Sequence, residues 1–425
     1  IYLKFKDLNL SPDLLAAVER AGFEEATPIQ SETIPLALEG KDVIGQAQTG
    51  TGKTAAFGLP MLEKIDAKRR QIQGLVIAPT RELAIQTQEE LHRLGKDKNI
   101  RVSAVYGGAD ISRQIRQLKD NPHIVVGTPG RMLDHIKRNT LKLATVETLV
   151  LDEADEMFAM GFIDQVEDIL QELPQNRTTA LFSATMPDAV KKLTEHFLKH
   201  PKYVEITDTD QSKKRIRQQY IRVEDEDKLA TLKDLLIVDN PDSSILFCNT
   251  KVMVERLMKE LDRADIKVDM LHGGMEQRDR TQVINDFKRG YFRHLVATDV
   301  AARGIDVADI ALVVNYDLPD KPETYVHRIG RTARFENKGK TLSLVNPRDR
   351  ASFAAIREAQ GDVLEEIPRP SRATVDKYRL DFEQKQRKNP MIRKEKGLDF
   401  KEDIMKIHIN AGKKTKLRAG DVVGA

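Results

Sequence analysis

Short apolar runs of four to six residues alternate along the chain with longer stretches whose apolar positions recur at helical spacing. That alternation is the mark of a parallel sheet covered on both faces by helices. Runs at 75–78, 123–126, 148–151 and 179–182 predict strands in the first half, and runs at 245–247, 268–271, 295–297 and 312–315 predict strands in the second. Between the two groups lies Thr207-Asp208-Thr209-Asp210-Gln211-Ser212-Lys213-Lys214-Arg215, polar and without an apolar anchor, which reads as a linker. The expected architecture is α/β, with one sheet in 1–206, a linker at 207–215, a second sheet in 216–366 and a basic tail over 367–425.

In such sheets ligands bind outside the carboxyl ends of the strands, and the unusual motifs of this chain cluster at those ends. Thr128-Pro129-Gly130-Arg131 follows one predicted strand, Asp152-Glu153-Ala154-Asp155 another, Ser183-Ala184-Thr185 a third, and Thr298-Asp299 one in the second half. Earlier in the chain stands Ala47-Gln48-Thr49-Gly50-Thr51-Gly52-Lys53-Thr54. Its glycines let backbone N–H groups approach phosphate oxygens, Lys53 suits the terminal phosphates, and the Thr54 hydroxyl suits Mg2+. Ala47 stands where a strict phosphate loop has its first glycine. Of the carboxylates ending the third predicted strand, Asp152 can hold the metal through water, and Glu153 can orient and deprotonate an attacking water. By itself the same cluster also suits an acidic first turn of a helix. Together the two segments predict binding and hydrolysis of a nucleoside triphosphate.

Composition narrows the class. With 40% hydrophobic and 32% charged residues the chain is of the soluble globular kind, and no apolar run approaches the length of a membrane span. The start lacks a basic stretch followed by an apolar core, and the single cysteine, Cys248, excludes an internal disulfide or a cysteine-based metal site, so a cytoplasmic location is the expectation. The net charge of +3 conceals an asymmetry: residues 367–425 hold sixteen Lys and Arg against eight Asp and Glu, which leaves 53 basic against 58 acidic residues before them. A basic tail attracts polyanions over long range, and equally serves as a solvated tail that maintains solubility.

The motifs, in their order and spacing over residues 5–334, resemble the DEAD-box family of ATP-dependent RNA helicases, named for the tetrad Asp152 to Asp155. The resemblance implies two tandem RecA-like domains, ATP and Mg2+ as cofactors, and RNA, as a single strand or short duplex, as partner. It adds an adenine-reading element: Gly22-Phe23, Thr27-Pro28-Ile29-Gln30, and Phe5 upstream, where Gln30 hydrogen-bonds the base and Phe5 stacks on it. Ala26 replaces the usual proline there, and without the resemblance Gln30 would pass as a surface glutamine. For RNA the matching positions are Pro79-Thr80-Arg81-Glu82-Leu83-Ala84, Gly107-Gly108, Thr128 to Arg131, Thr250, Gln277, Arg280, Thr298 and Asp299. Amides near glycines, hydroxyls and single arginines can grip sugar–phosphate without reading bases, although the Gly-Gly pair alone reads as a turn.

In the second half His327-Arg328-Ile329-Gly330-Arg331-Thr332-Ala333-Arg334 is similar to the family's arginine-finger element. The resemblance assigns Arg331 and Arg334 to the terminal phosphate, delivered from the second domain on closure, with Ala333 in place of the commoner glycine. It assigns Gly304 and Asp306, within Arg303-Gly304-Ile305-Asp306, to the nucleotide ribose, and couples His327 to Ser183 and Thr185, with Asp155 in the same interdomain link. Alone, a histidine such as His327 reads as structural.

Beyond 366 the pattern turns basic and polar, then strand-like at Asp403-Ile404-Met405-Lys406-Ile407-His408-Ile409-Asn410. This resembles the beginning of the small domain, built like an RNA recognition motif, of the bacterial DbpA/YxiN branch, which targets ribosomal RNA; the cold-shock and mRNA-decay type of bacterial DEAD-box helicase is the alternative. A first strand and one helix cannot build a core, so a truncated domain acting as a basic tether is expected. The functional expectation is an RNA-dependent ATPase that opens short duplexes, in ribosomal RNA remodelling or ribosome assembly. An ATP-gated RNA clamp is the reading from the binding class. A DNA translocase fits less well, because the Gln30 element and the tetrad occur together.

Overall fold

A computed structural model describes residues 3–48, 50–206, 216–302, 310–332, 339–361 and 363–387. Among these residues fourteen strands form two seven-stranded sheets, every pairing within them parallel. The first contains β1 (Val43–Gln46), β2 (Gly74–Ile77), β3 (Val102–Val105), β4 (Ile124–Gly127), β5 (Thr148–Leu151), β6 (Thr178–Ser183) and β7 (Lys202–Glu205). The second contains β8 (Ile216–Arg222), β9 (Ser244–Phe247), β10 (Val268–Leu271), β11 (His294–Ala297), β12 (Leu312–Asn315), β13 (Gly339–Val345) and β14 (Leu364–Glu366). Central strands such as β2, β4, β5, β9 and β12 are buried throughout and mostly apolar, as helix-covered parallel strands must be.

The strand orders are β3-β4-β2-β5-β6-β1-β7 and β10-β11-β9-β12-β13-β8-β14. Position by position these are one order, so the second domain repeats the first: β8 stands where β1 does, β9 where β2 does, β12 where β5 does. The α/β expectation and the two-sheet arrangement are both borne out. The first sheet buries one apolar cluster on each face, around Phe57, Leu59 and Phe182 on one side and Leu149, Leu151 and Ile169 on the other.

Local rules explain how the loops at the carboxyl ends are held. Thr80 follows β2 and caps the helix Arg81–Gly95, its hydroxyl accepting the Leu83 N–H at 3.2 Å. Thr250 follows β9 and caps the helix Lys251–Asp262 in the same way, accepting from Met253 at 3.2 Å. A hydroxyl that accepts from a helix amide keeps its own proton to donate outward. Among the described residues neither hydroxyl donates a hydrogen bond, so each threonine can offer that proton at its domain's ligand end.

Chain beyond residue 366 differs from the expected tail. The helix Arg372–Arg387 buries Val375 and Phe382 in the cluster formed by Leu232, Leu236, Val254 and Leu257 of the second domain. Gln386 is buried as well and hydrogen-bonds His294 at 3.1 Å. Charge counting concealed this helix because only Val375 and Phe382 of its apolar residues are buried, seven positions apart among Lys and Arg, while Tyr378 and Leu380 are exposed. The strand-like run at 403–410 lies outside the described residues. Replacing Phe382 with Ala should lower the stability of the second domain by about 3 kcal/mol, the usual cost of removing a buried ring. Urea denaturation followed by circular dichroism checks this, and an unchanged midpoint would mean the helix does not belong to the core.

Candidate active site

The phosphate-loop segment leaves β1 and enters the helix Lys53–Lys64 through Gly52, whose φ of 87° is left-handed, as is that of Gly50 at 85°. At Gly52 a side chain is excluded twice, since an added Cβ would also lie 2.3 Å from Gln30 Nε2. Lys53 is buried and donates to the Ala47 carbonyl at 3.1 Å, while Ala47 N–H donates to Ser183 O at 3.0 Å, so the residue in the first-glycine position ties the loop to β6. Thr51 Oγ1 donates to Gln48 O at 2.9 Å, and Thr54 is half-buried one residue into the helix. Thr49 lies outside the described residues.

Gln30 and Thr27 grip this loop from the side. The two form a capping box at the start of the helix Pro28–Leu38, with Thr27 N–H donating to Gln30 Oε1 at 2.9 Å. Gln30 Nε2 then donates to Gly52 O at 3.0 Å, and Thr27 Oγ1 donates to Thr51 O at 2.8 Å. The glutamine is thus buried and bonded to the phosphate loop, which sequence reasoning did not foresee. Phe5 is buried and stacked on Phe23, with ring centroids 6.1 Å apart.

Across the loop stands the acidic tetrad. Glu153 has φ 51° and ψ 54°, a strained left-handed conformation for a residue with a side chain, and such strain gathers at functional sites. Its N–H donates to Asp152 Oδ1 at 3.0 Å, and its buried Oε2 has no hydrogen-bond partner among the described residues. Burial pushes the Asp152 carboxyl up to about 7, against the pull of Lys53 and with the help of Glu153.

Asp155 is the most connected member. Its N–H donates to Ser183 Oγ at 3.1 Å, its Oδ2 accepts from both the N–H and the hydroxyl of Thr185 at 2.8 Å, and Ser183 Oγ donates to Thr185 O at 2.6 Å. His327, from the helix Pro322–Ile329 of the second domain, places Nε2 3.5 Å from Asp155 Oδ2 and bonds Glu156 through Nδ1. The sequence expectation coupled His327 to Ser183 and Thr185. Asp155, which that expectation placed in the same link, is the member His327 meets directly, and it holds the hydroxyls of Ser183 and Thr185. Burial alone would lower the His327 pKa, but the two carboxylates outweigh it and hold it at about 9. Asp155, for its part, resists the rise that burial would cause and is held well below the usual carboxylate range by His327.

Residues 27–193 match the family described as DEAD/DEAH box helicase, and residues 227–336 match the helicase conserved C-terminal domain. The ATP-dependent RNA helicase DbpA of Bacillus subtilis (strain 168) is 46% identical over 420 residues, which are 99% of this chain and 88% of that protein. The chain belongs to the DEAD-box helicase family. The ATP-dependent RNA helicase CshA of Listeria monocytogenes is 52% identical over 368 residues, 87% of this chain and 71% of that one. Among solved structures, S. cerevisiae Dbp5 bound to RNA and ADP BeF3 matches with a TM-score of 0.78 at 33% identity, covering 90% of this chain and 98% of that one. A DEAD box protein from the hyperthermophile Methanococcus jannaschii is 40% identical and covers 86% of this chain and 99% of that one, yet matches with a TM-score of 0.53.

The remaining motif residues of this DEAD-box chain that are described fall at the strand ends or between the domains. Gly107 and Gly108 follow β3, with Gly108 at φ +76° and its open side filled by Arg81, whose Nη1 would sit 2.2 Å from an added Cβ. Pro79 is buried beside Thr80, and Thr128 precedes the helix Pro129–Lys137, in which Gly130 and Arg131 occupy the first turn. Arg131 donates to Ala109 O at 3.1 Å and Gln114 Oε1 at 3.0 Å. Gln277 and Arg280, expected at RNA, are used between the domains: Gln277 bonds Arg81 and Glu82, each at 3.2 Å, and Arg280 pairs with Glu82 at 2.9 Å with both side chains about nine-tenths buried. Thr298 follows β11, and Asp299 receives a two-pronged bond from Arg328 at 2.6 and 2.7 Å. Arg331 is buried four residues after His327. Gly304, Asp306 and Arg334 lie outside the described residues.

Two features escaped the sequence reading. Arg328, 1% exposed, bonds Asn249 Oδ1, Asp317 O, Asn315 Oδ1 and Asp299 while lying over the Phe247 ring, and so ties together the ends of β9, β11 and β12. Gly273-Gly274 follows β10 as Gly107-Gly108 follows β3, a repeat that aligning the two halves of the sequence would have exposed.

The raised His327 pKa fixes a pH window. Protonated His327 contributes stability that is fully present below its ordinary value of 6.5 and is lost as pH rises through about 9. The gap in melting temperature between the protein and its His327→Gln variant should therefore be widest near about pH 6 and close by about pH 10. A gap that does not change with pH would show that the imidazolium charge is not what holds the contact.

Proposed function

We propose that the protein is an RNA-dependent ATPase that opens short RNA duplexes locally. The observation that carries this reading is the reach of His327, from the second domain, to Asp155 and Glu156 of the tetrad. Its helix leads into Arg331, which lines the same small cavity as His327, so the contact that couples the domains supports a role for the Arg331 guanidinium at the terminal phosphate. Arg334, outside the described residues, is proposed for the same role. The likeness to Dbp5 bound to RNA and ADP BeF3 supports the same arrangement.

In the proposed reaction the amides of 50–54 and the Lys53 ammonium hold the triphosphate of ATP, and Glu153, with its buried unpaired oxygen, takes a proton from the attacking water. Mg2+ needs one or two carboxylates beside phosphate oxygens and water. Buried Asp152, whose pKa burial raises to about 7, and the Thr54 hydroxyl fit that need, since a cation offsets the cost of a buried carboxylate. When bound, the metal supplies charge neutralisation on the phosphates. Gln30 connects the adenine side to the phosphate loop through Gly52, so base recognition and loop geometry are mechanically one.

RNA is proposed to lie across the strand ends carrying Thr80, Gly107, Gly108, Thr128, Gly130 and Arg131 in one domain and Thr250, Thr298 and Gly273 in the other. Hydroxyls and amides there contact phosphate and sugar without reading sequence. Ribosomal RNA is the proposed target. The match to DbpA spans 420 residues and so must include most of 367–425, whereas the match to CshA spans 368.

Glu153→Gln should keep ATP and RNA binding but lower turnover by about a hundredfold or more, the usual weight of a general base. The assay compares ATP turnover and strand separation with and without RNA, using ribosomal and unrelated RNAs. Full turnover in the variant would remove Glu153 from the base role. Hydrolysis by the unaltered protein without strand separation would favour an ATP-gated clamp, and equal stimulation by all RNAs would argue against a ribosomal target.

A further inference from the structure

A cavity of ≈ 770 Å³ lies at the carboxyl ends of β8 and β13, lined by none of the residues placed above at nucleotide or RNA. Its size falls in the range of small-molecule sites. Its position is informative because β8 is the counterpart of β1. The cavity therefore opens where the first domain carries its phosphate loop. Here the loop at 223–227 is acidic instead of glycine-rich, and Lys228, which begins the next helix as Lys53 does, is turned to Asp317 at 3.5 Å.

Cations come instead from the helix Arg350–Gln360. Arg350, Phe353, Ala354 and Arg357 follow the i, i+3, i+4, i+7 spacing of one helical stripe and all line the cavity. The buried ring of Phe353, with Ile221 and Val345, makes an apolar floor between two exposed guanidiniums. Neither Arg350 nor Arg357 makes an ion pair or side-chain hydrogen bond among the described residues, although Glu366 attracts Arg357 at longer range. Arg222 and Arg369, on the same walls, are already paired with Glu366 and with Asp227 and Asp234. Glu224 stands exposed on the rim.

An independent observation marks the inner wall. Thr231 lines the cavity and is fully buried, and its hydroxyl has no hydrogen-bond partner among the described residues. Such a group is costly to bury unless something bonds it. We propose that this cavity is a second ligand site, taking a small organic phosphate with a flat apolar body. The body packs on Phe353, the phosphate accepts from the forks of Arg350 and Arg357, and the Thr231 hydroxyl bonds a polar atom of the inner end.

Isothermal titration of the full chain with methylumbelliferyl phosphate, at saturating ADP to fill the nucleotide site, tests this. Binding should persist under ADP, fail with uncharged methylumbelliferone, weaken at least about tenfold in an Arg350→Gln, Arg357→Gln double variant, and weaken about threefold in Thr231→Val. RNA-stimulated ATP turnover of the double variant should stay within about twofold of the unaltered protein, because these exposed side chains lie outside the active site and their loss leaves the fold intact. Undiminished binding in the double variant would overturn the proposal, and its abolition by ADP in that variant would place the probe at the nucleotide site.

Discussion

The two halves of the candidate site depend on one carboxylate. Asp155 is bonded through its own amide to Ser183, through Oδ2 to both donors of Thr185, and by charge to His327 of the other domain. It therefore joins the end of β5, the end of β6 and the helix Pro322–Ile329 in a single buried cluster. In a low-dielectric setting a partly satisfied cluster costs more than an apolar one, so its members hold one another in place. The protonated His327 supplies the charge that Asp155 and Glu156 would otherwise lack. A second buried pair, Arg280 with Glu82, closes the other side of the interface. Because breaking such a pair strands a charge, the domain contact resists small displacements.

Each domain has its own organiser behind this interface. In the first it is the Gln30–Gly52 and Thr27–Thr51 pair of bonds, which couples the helix Pro28–Leu38 to the phosphate loop. In the second it is Arg328, whose five donors are distributed among Asp299, Asn315, Asp317 and Asn249. That network fixes the strand ends on which Thr298 and Thr250 are presented and sets the base from which Arg331 projects. Repetition of one strand order explains why candidate RNA residues occur in pairs, Thr80 with Thr250 and Gly107 with Gly273.

Legibility followed burial pattern. The eight strands expected from apolar runs are all present, within a residue or so of the expected bounds. β1 was passed over because it holds Gly45, required where a Cβ would sit 2.6 Å from Phe182. β8 was missed because Gln218 and Gln219 interrupt it, and these are buried only because Tyr325 and Glu365 satisfy them from distant parts of the chain. The edge strands β7 and β14 are short and charged, which hides them in any periodicity count. The site residues were legible as types at strand ends, but their partners were not.

The sequence by itself determined the α/β architecture, its duplication and the chemistry available at each strand end, since these depend on local periodicity and on which functional groups a short motif contains. Tertiary structure decided how those groups are used. It bonded Gln30 to the phosphate loop, gave Gln277 and Arg280 to the domain interface, linked His327 to Asp155 and Glu156, and folded the helix Arg372–Arg387 into the second core. Each of these contacts joins residues far apart in the chain, and a hydrogen bond or ion pair has no strength until packing has brought both partners out of water and into range.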